Sequence, residues 1–272
     1  MCILLADSGS TKTSWKVIMP SGEVSFFRTA GLNPNFLSRN EIIDIVQNEL
    51  LCNLDVLVEE IRFYGAGCSQ HASKEKLRDI FSTLFPSAKR VVIDTDLMGA
   101  IEAMNTKHTS WVCILGTGTN ACIVENGKIV HQITSLGYMF GDEGSGFDIG
   151  KRLVKAYFSG LMPLELKKKW DDMYQLTYSE LIEKVYQGSK PNAWVASFAI
   201  FAKKNIEHPF IENLVLASFE SFLTSYILTL KGYYKFPIHF VGSVAYYFED
   251  QLKKVLNKHG LIMGDIMLSP LS

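Results

Sequence analysis

Residues 111–130 read WVCILGTGTNACIVENGKIV, and residues 3–24 read ILLADSGSTKTSWKVIMPSGEV. In the first stretch an apolar run, 112–115, breaks at Gly116-Thr117-Gly118-Thr119-Asn120, and a second apolar run, 121–124, follows at once. Two strands joined by a Gly/Thr-rich turn make a hairpin whose tip carries backbone N–H groups and hydroxyls, a setting that suits anions and phosphate above all. One short motif of this kind is weak, because a plain structural turn uses the same residues. The sequence writes it twice. Residues 3–6 give an apolar strand, Asp7-Ser8-Gly9-Ser10-Thr11 the turn, and 15–18 a second strand. Both copies run on into a further turn with glycine, Gly22 or Gly127, and then back to apolar residues. An internal repeat spaced by about a hundred residues implies two similar domains, each offering a phosphate-binding hairpin to a shared cleft.

Carboxylates flank the second hairpin. Upstream, residues 93–100 read IDTDLMGA; downstream, residues 136–146 read LGYMFGDEGSG. A phosphate cradle between Asp96 and Asp142 points to phosphoryl transfer to a hydroxyl, with metal and base supplied by acid side chains. Residues 90–93 read as a strand, and a carboxylate just past its carboxyl end lies where open α/β sheets place their sites. Of Asp94 and Asp96, one is expected to cap the helix that follows, leaving the other for chemistry. Glu143 reads as a first-turn or capping acid of the helix after residue 146.

The composition narrows the classes. The chain has 272 residues, room for one large or two ordinary domains, and 47% of them are hydrophobic. Lys and Arg number 27 against 28 Asp and Glu, so charge makes no case for nucleic acid or an anionic membrane surface. No apolar run approaches the ~20 residues of a spanning helix, and the N-terminus enters a strand with no signal-like leader. Five scattered cysteines (Cys2, Cys52, Cys68, Cys113, Cys122) form no CxxC pair, which fits a reducing, cytoplasmic location. The six histidines fall on exposed or helical positions without metal-ligand spacing and receive no role.

The remaining segments alternate. Residues 23–29 read as a third strand and 31–36 as a loop around Pro34, with Asn33 and Asn35 ahead of a helix opened by the Ser38/Glu41 capping box. Amides there hydrogen-bond a polyol or simply form an Asx turn. A strand at 61–65 ends in GAGCS, and 74–85 is an amphipathic helix with Leu77, Ile80, Phe81 and Leu84 inward. This alternation argues for an α/β domain. After residue 146 the expected helices are 147–159, 163–173, 178–186, 192–204 and 208–233. Their aromatics (Phe198, Phe201, Phe219, Phe222, Tyr226) read as core, although the face of a homodimer would look the same. The Lys167–Lys169 run reads as a solvated face. A strand at 237–241 breaks at Gly242-Ser243, where a flat heterocycle can approach the backbone or an ordinary turn can form. A helix at 251–259 and a strand at 262–269 complete the chain.

Taken in order, DSGSTKTSW, GTGTN, GDEGSG and FVGSVA resemble the N-acetylglucosamine kinase branch of the BadF/BadG/BcrA/BcrD-type ATPases, within the actin, hexokinase and heat-shock-chaperone ATPase superfamily. The resemblance covers essentially the whole chain. It implies two RNase H-like (actin-like ATPase) domains, 1–107 and 108–272, the second with helical additions. MgATP and a sugar would lie in the cleft between them, and the γ-phosphoryl group would pass to the sugar's 6-hydroxyl. Residue by residue it implies a base at Asp96 and a first phosphate motif of Asp7, Gly9, Ser10, Thr11 and Lys12, with Asp7 holding Mg²⁺ through water. It implies a second phosphate motif of Gly116, Thr117, Gly118 and Thr119, and an adenosine motif of Gly242 and Ser243. Asn35 and Asp142 match sugar-binding positions, and Leu136-Gly137 stands where animal members have tryptophan-glycine. Members usually continue past a final SP segment into a helix packed on the first domain, so a short or absent closing helix is expected here. Two other readings use the same scaffold: an ATPase activator of a radical-type dehydratase, and a sugar or nucleotide sensor without catalysis. The activator carries a cluster-ligating cysteine pair, for which Cys113 and Cys122 are poorly placed.

Overall fold

The computed structural model describes residues 1–9, 11–232 and 234–271. The chain folds into two compact units, Met1–Asn105 with Ser269–Ser272, and Thr106–Leu268.

The first unit is built on β1 (Ile3–Ser8), β2 (Lys12–Ile18), β3 (Val24–Ala30), β4 (Glu60–Gly65) and β5 (Arg90–Thr95), with α1 (Arg39–Ile45), α2 (His71–Leu84) and α3 (Asp96–Met104). The sheet order is β3-β2-β1-β4-β5, antiparallel over the first three strands and parallel over the last. Alternation sets the faces: Leu4, Ala6, Thr13, Trp15 and Val17 point inward from β1 and β2. Trp15, Phe63 and Phe81 pack ring on ring with centroids 5.3–6.1 Å apart. All three are fully buried, each contributing roughly 1.5–3 kcal/mol of transfer free energy. The expected Ser38/Glu41 capping box opens α1, and Ile42, Val46 and Leu50 bury a stripe that continues through a π-helical turn, Val46–Leu50.

The second unit repeats that plan. Its strands are β6 (Ser110–Leu115), β7 (Thr119–Glu125), β8 (Lys128–Gln132), β9 (Ile238–Val241) and β10 (Met263–Met267), ordered β10-β9-β6-β7-β8. β6–β7 and β7–β8 are antiparallel; β6–β9 and β9–β10 are parallel. Read from the hairpin outward, the two sheets have the same order and directions. Between β8 and β9 come α4 (Gly137–Phe140), α5 (Gly146–Phe158), α6 (Leu164–Tyr174), α7 (Tyr178–Tyr186), α8 (Pro191–Ser197), α9 (Ala199–Lys204) and α10 (Pro209–Phe222). After β9 follow α11 (Ser243–Tyr247) and α12 (Glu249–Lys258). Phe198, Phe201, Phe219, Phe222 and Tyr226 all lie in the core of this unit, and Lys167–Lys169 is exposed.

Several boundaries differ from the sequence reading. α2 starts at His71, a turn early, because its first turn is polar and apolar spacing begins only at Leu77. The helix expected over 192–204 is two helices meeting at Phe198. The helix expected over 208–233 holds to Phe222, passes through a π-helical turn, Leu223–Ile227, and then unwinds; its expected end, Tyr233, lies outside the described residues. His239 is neither exposed nor helical. It sits in β9 and its Nδ1 accepts the Asp265 N–H (3.0 Å) at a bulge of β10. Among the described residues no helix is long and apolar enough to cross a membrane.

Candidate functional site

In the first unit the β1–β2 turn is open. Gly9, Thr11 and Lys12 are exposed, and the Gly9 N–H donates to the Lys12 carbonyl (3.0 Å). Ser10 lies outside the described residues. Ser8, buried, anchors the turn from below: its hydroxyl accepts the Leu32 N–H (3.0 Å) and shares a proton with Thr13 Oγ1 (2.8 Å), while its carbonyl accepts the Ala66 N–H (2.9 Å). One residue thus ties the turn to two neighbouring loops, 31–37 and 65–70. Asp7 Oδ2 accepts the Ser269 hydroxyl (3.0 Å), and burial raises its pKa against the opposing pull of that bond and of Lys12.

Asp96 is the first residue of α3, immediately past β5. Neither aspartate caps that helix. Thr95 does, its hydroxyl accepting the Met98 N–H (3.3 Å), while Asp94 pairs with Lys74 (2.7 Å). Threonine ranks somewhat below aspartate as a cap, so the sequence pattern points to the wrong residue. Burial, reinforced by the charge of Asp7, pushes the Asp96 carboxyl up to about 6. The bond from the Leu97 N–H (2.9 Å) offsets part of that rise.

Loop 31–37 carries Asn33 and Asn35. Asn33 is buried and forms the Asx turn, its Oδ1 accepting the Asn35 N–H (3.0 Å). Asn35 is exposed, with Oδ1 accepting the Ser73 hydroxyl (3.0 Å). Gly67, at φ +85°, lies on both amides: an added Cβ would sit 2.2 Å from Asn33 Oδ1. Cys68, next along, is buried, and its thiol is pushed up to about 12 by that burial and by Asp96. In the sequence, GAGCS reads only as a strand end.

In the second unit the β6–β7 turn is clamped. The Gly116 and Thr117 carbonyls accept N–H groups of Gly146 (2.8 Å) and Phe147 (3.1 Å), from the start of α5. Asp142 Oδ1 accepts the Thr119 N–H (2.9 Å), and Thr119 Oγ1 donates to the Glu143 carbonyl (2.8 Å). An added Cβ on Gly118 would lie 2.7 Å from Asp142 Oδ2. Gly242, at φ +123°, brings the β9–α11 turn so close that an added Cβ would be 2.4 Å from the Leu115 carbonyl oxygen; Ser243 opens α11 beside it. Glu143 does not cap α5. Ser145 does, accepting the Asp148 N–H (3.2 Å), and Asp148 supplies the first-turn charge.

Asp142 is buried and holds the left-handed conformation (φ +60°) that a non-glycine residue rarely adopts. Its N–H donates to the Tyr226 hydroxyl (3.2 Å), which reaches it from the π-helical turn. Burial raises the Asp142 pKa, opposed by the Thr119 N–H. The aromatic spacing marks Tyr226 only as core; a π turn at a functional position has no sequence signature of its own. Leu136 is 59% exposed and Gly137 opens the single-turn α4, which ends in exposed Met139 and Phe140. Cys113 and Cys122 are buried within β6 and β7.

Two sheets of one order, each with a Gly/Thr turn joining its first two strands, define a two-domain actin-like ATPase with RNase H-like units. No family model matches the chain. A solved structure from Porphyromonas gingivalis, provisionally named N-acetylglucosamine kinase, is 35% identical with a TM-score of 0.92, covering 99% of this chain and 95% of that one. The chain belongs to this N-acetylglucosamine kinase-like family and is an ATP-dependent carbohydrate kinase. A Chromobacterium violaceum protein with the same provisional name superposes with a TM-score of 0.74 at 15% identity, covering 99% of this chain and 96% of that one. A ROK family glucokinase from Streptomyces griseus, solved with glucose and AMPPNP, superposes with a TM-score of 0.60 at 14% identity, covering 100% and 95%. These last two share the fold.

Proposed function

We propose that the protein transfers the γ-phosphoryl group of ATP to the 6-hydroxyl of an amino sugar, with N-acetylglucosamine as the leading acceptor. The observation that carries this reading is the Asp96 carboxylate. It lies partly buried at the start of α3, beside the charge of Asp7, with its pKa raised to about 6. A base of that strength is still ionised at neutral pH yet takes a proton more readily than an ordinary aspartate.

The sugar hydroxyl attacks the γ-phosphorus, the new O–P bond forms as the bond to the bridging oxygen breaks, and the hydroxyl proton passes to Asp96. In a loose transition state Asp96 need only orient the hydroxyl and accept its proton late. Asn35 and Asp142 hold the sugar, with Leu136 and Gly137 at its rim. Gly9, Ser10, Thr11 and Lys12, with Gly116, Thr117, Gly118 and Thr119, cradle the phosphates. Gly242 and Ser243 lie along the adenosine. Asp7 fits a magnesium ion held through water, because a single carboxylate with waters and phosphate oxygens is the donor set that ion prefers. A magnesium ion held there by Asp7 would supply positive charge against the phosphates.

The test is a coupled ADP-release assay over N-acetylglucosamine, glucosamine, N-acetylmannosamine and glucose, with wild type and Asp96→Asn side by side. The expected result is sugar-dependent turnover that falls by about 10³-fold or more in the variant. ATP hydrolysis indifferent to every sugar would overturn the proposal.

A further inference from the structure

α2 grips the Asn35 loop at three points. Lys76 Nζ donates to the carbonyls of Pro34 (3.1 Å) and Leu37 (2.5 Å), on either side of Asn35. Ser73, one turn earlier and buried, reaches the Asn35 side chain itself, Oγ to Oδ1 at 3.0 Å. The loop backbone is therefore fixed by Lys76 and by the Asn33 Asx turn, and Ser73 is left to fix one torsion, that of the Asn35 amide. An amide oxygen only accepts, so the Ser73 hydroxyl donates in this contact. Asn35 Nδ2 then keeps both of its N–H groups, and among the described residues that nitrogen has no partner, although Asn35 is exposed. Gly67 crowds the same amide, an added Cβ there lying 3.1 Å from Nδ2.

We propose that Ser73 is a specificity-determining positioning residue: it holds the Asn35 amide with its NH₂ group free, so that Asn35 selects a sugar bearing a hydrogen-bond-accepting oxygen at the position it meets. The inference rests on the sugar-kinase reading above and adds to it which face of the amide reads the acceptor. Ser73 touches no substrate; it acts through Asn35. Without its hydroxyl the amide rotates, and about half of its orientations present an oxygen where a donor is required.

The experiment measures initial rates against sugar and, separately, against ATP, using the full chain carrying Ser73→Ala, Ser73→Thr or Asn35→Asp, with N-acetylglucosamine as the sugar probe. Ser73→Ala is expected to raise the KM for sugar about fivefold to tenfold, as loss of one positioned hydrogen bond does, with kcat and the KM for ATP within about twofold of wild type. Ser73→Thr, which keeps the hydroxyl, restores the sugar KM. Asn35→Asp keeps an acceptor for Ser73 but has no donor, and raises the sugar KM at least as far. An unchanged sugar KM in Ser73→Ala overturns the inference, as does a parallel rise for sugar and ATP, which marks a merely structural role. Should Ser73→Ala not fold, Asn35→Asp decides alone, since full sugar affinity in it means that the oxygen face reads the sugar. A wild type that turns over none of the sugars fails at the earlier step and sinks the kinase reading itself.

Discussion

The two hairpin turns occupy equivalent places in two sheets of identical order, yet they are built differently. The turn after β1 is open and charged: Gly9, Thr11 and Lys12 are exposed, and a Cβ on Gly9 would meet nothing closer than the Lys12 carbonyl at 3.8 Å. The turn after β6 is enclosed by its own unit, with α5, Asp142 and the Gly242 turn all in contact with it. Preorganisation and charge are thus divided between the repeats. The second turn has a fixed backbone, with the Gly116 and Thr117 carbonyls already occupied; the first is exposed and has Lys12 in it. On the proposed reading of both turns as phosphate-binding, the fixed turn would position and the open, charged turn would adapt.

The largest contrast is expected from glycine-to-alanine changes at Gly242, whose turn packs on the end of β6, and at Gly9 within the open turn. Gly242→Ala places a methyl group 2.4 Å from the Leu115 carbonyl at a backbone angle, φ +123°, that alanine avoids. Neither atom can yield cheaply, so a loss of about 3 kcal/mol or more and a melting temperature lower by roughly 10 °C are expected. The KM for ATP should rise with it. Gly9→Ala, by contrast, should melt within about 2 °C of wild type. Calorimetry of both variants checks this, and equal losses would erase the distinction between a clamped and an open turn.

A smaller effect probes the clamp itself. Tyr226→Phe removes the acceptor for the Asp142 N–H while leaving the ring in the core. A buried N–H without its partner costs about 1–2 kcal/mol, and Asp142 loses one of the bonds that hold it in the left-handed region. The expected outcome is a sugar KM raised several-fold with the fold intact by circular dichroism. Wild-type kinetics would mean that the Thr119 N–H alone fixes Asp142.

Much of this division was legible in the residues. Two copies of strand, Gly/Thr turn and strand implied two like domains, and the sheets have that repeat in full, because hairpins are written in local sequence. Asp96 and Asp142 drew notice beside the hairpin as carboxylates at element ends, whereas Asn35 read by position as an ordinary turn and was singled out only by the family resemblance. What supports all three was not legible. Ser73 and Lys76 lie on a helix face that polar residues hide from apolar periodicity, Tyr226 is indistinguishable by spacing from the core aromatics around it, and Thr95 was passed over between two aspartates that looked like better caps. Partners separated by 38 residues, as Asn35 and Ser73 are, meet only once the strands have been ordered.

The smallest effect isolates the charged repeat and has an unusual sign. In the folded protein the Asp96 carboxyl has its pKa raised from 3.8 to about 6, chiefly by burial. The folded state therefore favours its protonated form. The stability tied to that proton is present below about pH 4 and is lost as pH rises through about 6. At pH 7.5 the ionised carboxylate is a net cost to the first unit, worth at most about 3 kcal/mol, and about 1 kcal/mol once its partial contact with water is allowed for. Asp96→Asn removes the charge and keeps the shape. In magnesium-free buffer it should raise the melting temperature of the first unit by a few degrees at pH 7.5 and leave it unchanged near pH 4, while abolishing turnover. A gain of the same size at both pH values, or a loss at pH 7.5, would show that Asp96 is held by favourable contacts and not against its own desolvation; the raised pKa would then have to be abandoned, and with it the account of Asp96 as a base strengthened by burial.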